Sequence, residues 1–153
     1  MNIDYNAIAA ALALRYDPLN LAPPSGETPI TIATSLAPNG IPSTPFVLCS
    51  MALEADAAFT FGSGVRLGTI PFTVDFLLEK SDELPQQMIR LQKWAGVLLD
   101  APLAAVHLGI PTVVAFAFTV AQRLGDVSYQ GTKYAGVSST VHVRTSDAIV
   151  ATA

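Results

Sequence analysis

Along residues 65–78 apolar and polar positions alternate. Ile70, Phe72, Val74, Phe76 and Leu78 fall on even positions, with Thr69, Thr73 and Asp75 between them. Successive side chains of a strand point to opposite faces, so the segment predicts a strand with one apolar and one polar face. The period then lengthens. Leu84, Met88, Leu91, Ala95 and Leu98 recur every three or four residues, the stripe of an amphipathic helix. Its start is expected near Ser81 or Asp82, with Pro85 in the first turn, where a missing backbone N–H is tolerated. Asp82 and Glu83 suit the positive end of the helix dipole. Gln86, Gln87, Arg90 and Lys93 make the expected wet side. Trp94 lies off the stripe and reads equally as an interface residue or as a half-buried tryptophan of its own fold. Gly96 costs about 1 kcal/mol relative to alanine inside a helix, so another backbone is expected close to it. A one-sided strand followed by a one-sided helix buries the two apolar faces together.

The remaining elements are arranged around this pair. Residues 2–16 predict an alanine-rich helix, with Asn2 as candidate N-cap and Asp17-Pro18 as the stop. Pro23-Pro24-Ser25-Gly26 marks a loop. Ile30, Ile32 and Thr34 predict a short strand, residues 37–42 a turn-rich connection, and residues 46–51 another strand. Phe59 and Phe61 predict one arm of a hairpin, with Gly62-Ser63-Gly64 as its turn into the long strand. Residues 103–108 predict a short helical turn. Val114, Phe116, Phe118 and Val120 predict a strand, and residues 124–131 read as turn-like. The last strand places Val137, Val141 and Val143 on one face and Ser138, Thr140, His142 and Arg144 on the other. The expected fold is therefore α/β of the α+β type. A mixed or mainly antiparallel twisted sheet carries an N-terminal and a central helix, in one domain over residues 1–153 with a short tail from about 146.

Composition sharpens this picture. Of the 153 residues 51% are hydrophobic and only 13% are charged, and the mean hydropathy is +0.46. A soluble domain ordinarily carries about 25% charged residues. The deficit points to surface buried against other chains, as in obligate oligomers. The eight Lys and Arg are scattered and the net charge is −4, which argues against binding a phosphate backbone. The uncharged stretches 28–53 and 101–122 are interrupted by prolines and predict no membrane helix. No signal peptide is expected, because Asp4 comes early and a basic n-region is missing.

Little chemistry is legible. Cys49 is a lone cysteine in an apolar segment, expected to be a buried thiol. His107 and His142 have no partner at metal-ligand spacing. The Gly62-Ser63-Gly64 cluster lacks the Gly-Lys-Ser/Thr of a phosphate loop, and Ser63 lacks the flanking glycines of a nucleophile elbow. No catalytic, cofactor or metal site is expected. A small enzyme or ligand-binding domain, with polar groups converging around His107 or Asp75, stays open as the least favoured class.

The order of segments resembles a family. An alanine-rich helix is followed by a proline-rich loop into Thr44-Pro45-Phe46-Val47-Leu48. A Gly-Ser-Gly turn then leads to Thr69-Ile70-Pro71-Phe72-Thr73-Val74-Asp75-Phe76. A helix bearing Leu91 and Trp94 precedes Ala105-Val106-His107-Leu108-Gly109. Tyr134-Ala135-Gly136 and Thr140-Val141-His142-Val143-Arg144 come near the end. Over nearly the whole chain this pattern is similar to the tail terminator, or tail completion, proteins of long-tailed bacteriophages. The resemblance rests on soft patterns, and another phage neck or head-completion protein is the alternative it leaves open. It implies a non-enzymatic α/β virion protein without cofactor, assembled in the host cytoplasm and located at the tail–head junction. It further implies a homohexameric ring that caps the tail tube, stops tube polymerisation and meets a head connector or neck protein. Genomic DNA would pass through the ring without sequence-specific binding, which an acidic chain would not impede.

One segment is singled out as a candidate partner interface. Asp126, Tyr129, Lys133 and Tyr134 cluster between the two C-terminal strands. Tyrosines with opposite charges on a loop offer contact area with polar handles.

Overall fold

The computed structural model describes residues 3–52, 56–62, 64–101 and 113–148, of which 113–120 and 147–148 by backbone alone. In chain order the elements are α1 (Tyr5–Leu14), β1 (Ile32–Thr34), β2 (Phe46–Met51), β3 (Ala58–Phe61), β4 (Val65–Lys80), α2 (Leu84–Asp100), β5 (Val113–Tyr129) and β6 (Thr132–Ala148). The strands form one mixed six-stranded sheet, and the fold is α+β. The strand order is β1-β2-β4-β6-β5, with β3 also on β4. The β1–β2 pair is parallel and the other ladders are antiparallel.

The alternating segment is the centre of the sheet. β6 follows β4 from Val65 opposite Ala148 to Lys80 opposite Tyr134. The other edge of β4 is shared end to end, by β2 at residues 72–77 and by β3 at residues 66–69. Sixteen residues at about 3.3 Å each make a strand roughly 50 Å long. Ile70, Phe72, Val74, Phe76 and Leu78 are all buried in the main core. Ile8 and Leu12 of α1, Leu91, Trp94 and Leu98 of α2, and Val137, Val141 and Val143 of β6 join them there. α1 packs on β1 and β2, and α2 on β5 and β6.

The opposite face carries a smaller apolar cluster of Phe46, Leu48, Leu77, Val127 and Tyr134. Residues 35–45, which connect the parallel strands β1 and β2, cover part of it. Ile41 packs on the cluster, and the Pro38 carbonyl accepts hydrogen bonds from the Tyr129 hydroxyl and from Gln130 Nε2 at 3.2 Å.

Several expectations are corrected. Asp4 caps α1, its carboxylate accepting from the Ala7 amide at 3.1 Å; Asn2 lies outside the described residues. α2 begins at Leu84 with Glu83 at the cap, later than the acidic residues alone indicate. Its buried face is Gln87, Leu91, Trp94, Ala95 and Leu98, so the stripe is rotated toward Trp94, whose indole lies 4.6 Å from the Phe76 ring, centroid to centroid. Gln87 is not on the wet side: only 5% exposed, it donates from Nε2 to Glu79 and to the Lys80 carbonyl, each at 3.0 Å. Its Oε1 accepts from the Asp82 amide at 3.2 Å. The open end of β4 is thereby tied to the first turn of α2. Gly96 is exposed, and a Cβ there would meet nothing within 4 Å, so no backbone of this chain explains it among the described residues. Residues 124–131 are mostly strand. β5 continues to Tyr129, and the turn is Gln130-Gly131 alone, with φ of 47° and 83°. Two positive φ values at the centre of a two-residue hairpin match the right-handed strand twist. The tail begins later than 146, because Ser146, Asp147 and Ala148 still pair with Leu67, Arg66 and Val65. The expected turn at 103–108, including His107, lies outside the described residues.

Candidate partner interface

The hairpin register decides what Asp126, Tyr129, Lys133 and Tyr134 can do together. Asp126 lies opposite Ala135, Val127 opposite Tyr134, Ser128 opposite Lys133, and Tyr129 opposite Thr132. Directly opposed residues share a face, and neighbours along a strand do not. Asp126 and Lys133 therefore stand on one face of the hairpin, Tyr129 and Tyr134 on the other. Tyr134 is 7% exposed and sits in the smaller apolar cluster. Tyr129 is half-buried against the same cluster and donates its hydroxyl to Pro38. Asp126 is exposed, but it accepts a hydrogen bond from Ser81 Oγ at 2.6 Å, while the Lys133 carbonyl accepts from the Ser81 amide at 3.0 Å. The four residues thus anchor the hairpin to its own protein on two faces. They leave Asp126 and Lys133 as the exposed pair.

A second surface lies at the other end of the sheet. There the long strands continue past the buried core at Ile70. Phe61, Leu67 and Val65 are exposed, Phe61 by 68%. Arg66 is the only charged residue of β3 and of β4 before Asp75, and its guanidinium lies over the Phe59 ring at 5.8 Å from the centroid. Gly68 is needed at this end. A Cβ there would meet Thr145 Oγ1 at 2.5 Å and the Phe59 ring at 2.7 Å. The sequence carried a signal for this patch: Val65 and Leu67 are apolar at odd positions, out of phase with the buried even set.

A cleft of about 430 Å³ opens between the end of β4 and the start of α2, lined by Glu79, Lys80, Asp82, Glu83, Gln86, Gln87 and Arg90. Beneath it Arg90 bridges two carboxylates, giving Nε to Glu27 at 2.9 Å and Nη1 to Glu79 at 2.8 Å. The Glu27 hydrogen bond leads the effects that hold this guanidinium above its already high ordinary pKa. Trp94 Nε1 donates to the same Glu27 oxygen at 3.2 Å. Glu27 is the hub of a structural network linking the loop after α1 to α2. No group of three or more His, Cys, Asp or Glu suited to a metal occurs among the described residues.

Two ionisable groups on the central strands are perturbed by burial. Cys49 is fully buried, and desolvation, then the charge of Asp75, pushes its thiol pKa far up, so it is poorly suited as a nucleophile. Burial also raises the Asp75 carboxyl, opposed by a 2.8 Å hydrogen bond from Ser138 Oγ and by the charge of Arg123. Asp75, Ser138 and Arg123 stand in one cross-strand row on the face of the smaller cluster, while Cys49 lies in the main core on the opposite face. His107, the other residue around which polar groups were expected to converge, lies outside the described residues.

No protein-family model and no curated protein matches this chain.

Proposed function

We propose that the chain is a structural ring-forming protein of a long-tailed bacteriophage virion. It caps the tail tube, stops tube polymerisation and joins the tube to the head connector or neck protein. The observation that carries this reading is a chain poor in charge whose sheet ends in exposed Phe61 of β3 and Val65 and Leu67 of the long β4. Such a surface favours burial against protein. The segment-by-segment resemblance to tail terminators supplies the specific assembly. Six copies in a ring would be a closed heterologous arrangement, each subunit using two different surfaces.

The test is electron microscopy of particles made with and without this protein, together with native mass spectrometry of the purified chain mixed with tail tube protein. Overlong tubes in its absence, and a hexamer on tube ends in its presence, support the proposal. Tails of normal length that fail to attach to heads would instead identify a neck factor. A chain that neither oligomerises nor binds tubes refutes the ring.

A further inference from the structure

We infer that neighbouring copies join sheet edge to sheet edge, the outer edge of β5 in one copy pairing with the outer edge of β1 in the next. The inference rests on the ring reading and specifies its subunit contact. Among the described residues no strand pairs with the outer side of either β1 or β5, which close the two ends of the strand order. An unpaired edge presents backbone donors and acceptors that another edge can satisfy.

Three features favour a second copy of this chain as the occupant. The two free edges lie at opposite ends of the same rows of paired residues. One row runs Ile32, Phe46, Leu77, Gly136, Gly125, and another runs Thr34, Leu48, Asp75, Ser138, Arg123. A copy added sideways therefore brings β1 beside β5 near residues 123–125. The strand directions also agree. β1 runs parallel to β2, and each later step across the sheet reverses direction, so β5 runs opposite to β1. The new pair is antiparallel, the slightly more stable ladder. Finally, the smaller apolar cluster extends from one edge to the other on a single face, with Ile32 at β1 and Val127 at β5. Joining the edges continues that apolar strip from copy to copy. β1 carries no charge, and β5 carries one Arg and one Asp, so like charges do not oppose the contact. Because the two edges differ, the contact is heterologous, as a ring requires.

The experiment is disulfide trapping with two single variants, Thr34→Cys and Arg123→Cys. The native Cys49 is fully buried and does not compete. Under mild oxidation each variant alone should stay uncrosslinked, their mixture should give a covalent heterodimer, and the double variant a ladder up to the ring. Hydrogen exchange read in parallel should show amides within residues 120–127 protected on assembly and exchanging in the monomer. A ring that forms without the Thr34–Arg123 crosslink, or an Arg123→Cys variant that crosslinks to itself, overturns this contact and leaves the ring standing. Outward β5 amides already protected in the monomer overturn it too. A chain that stays monomeric with and without tube protein overturns both.

Discussion

Glu27 offers a direct measure of how the loop after α1 is held. Its Oε1 accepts from Arg90 Nε at 2.9 Å and from Trp94 Nε1 at 3.2 Å. The two donors are not equivalent. Trp94 is 1% exposed, so without Glu27 its indole N–H has no water to turn to, and an unsatisfied buried donor costs about 1–3 kcal/mol. The Arg90 side chain is 40% exposed and keeps its contact with Glu79, so losing its Glu27 partner falls in the range of exposed ion pairs, about 0.2–1 kcal/mol. Glu27→Ala should then lower stability by about 1–4 kcal/mol. Glu27→Gln keeps an acceptor for the indole and loses only the charge, so it should cost about 1 kcal/mol or less.

Trp94→Phe separates the two contributions. It keeps a ring against Phe76 and removes the N–H. In that background Glu27→Ala should cost only the Arg90 share, giving a coupling energy of about 1–3 kcal/mol in a double-mutant cycle. Urea unfolding of the four proteins, monitored by far-ultraviolet circular dichroism because two of them lack the tryptophan, supplies the numbers. A coupling below about 0.5 kcal/mol would show that Trp94 does not depend on Glu27, and the hub would then be no more than a surface ion pair.

Other predictions follow from single contacts. Gly136→Ala should destabilise by about 3 kcal/mol or more, because its Cβ would collide with the Phe76 carbonyl and stand 3.1 Å from Val127 Cγ2; thermal unfolding should shift by at least about 6 °C, and an unchanged melting temperature refutes the close approach. Asp75→Asn should stabilise the fold progressively as pH rises above about 4. Burial raises the native Asp75 pKa above its unfolded value, so its favourable contribution is full below the unfolded pKa, near 3.9, and is lost as pH rises through the native one. Denaturation at several pH values checks the sign, and an Asn effect independent of pH contradicts it. Gly131→Val should slow or weaken formation of the C-terminal hairpin, since a β-branched residue at φ of 83° is strained. Exchange of the Tyr129 and Thr132 amides should quicken, and unchanged protection would count against this turn. Asp126→Ala with Tyr129→Ala should loosen the hairpin from Ser81 and Pro38 and lower the melting temperature, whereas a purely external role would leave it unmoved.

The sheet was readable wherever its faces differ in polarity. Residues 70–78 announce a one-sided strand, and residues 46–51 and 58–61 lie where turn residues and aromatics place them. What was hidden has specific physical causes. Residues 124–129 look like a loop because Gly125, Asp126 and Ser128 are poor strand formers, yet β6 supplies a partner backbone for the whole stretch. Gln87 looks wet by residue type, but three hydrogen bonds at the open end of β4 make burial acceptable. Trp94 looks off-stripe only if the stripe is traced through Leu84 and Met88; the packing of α2 on Phe76 rotates it by part of a turn. No local pattern could pair Glu27 with Arg90, 63 positions apart.

The candidate interface shows how register changes a functional reading. Four residues within nine positions look like one patch when their segment is taken as a loop. A ladder divides them, because alternation sends Asp126 and Lys133 to one face and Tyr129 and Tyr134 to the other. The tyrosines then spend their area on the smaller apolar cluster and on Pro38, inside the protein. What remains for a partner is found where the chain leaves backbone or apolar groups without an internal counterpart. Among the described residues these include the strand ends at Phe61, Val65 and Leu67, and the outer edges of β1 and β5. The first is a side-chain surface and the second a backbone surface, and they lie in different parts of the sheet. A subunit with separate surfaces of this kind can join its own copies through one and hold a different protein with the other, which is the division of labour a terminating ring needs.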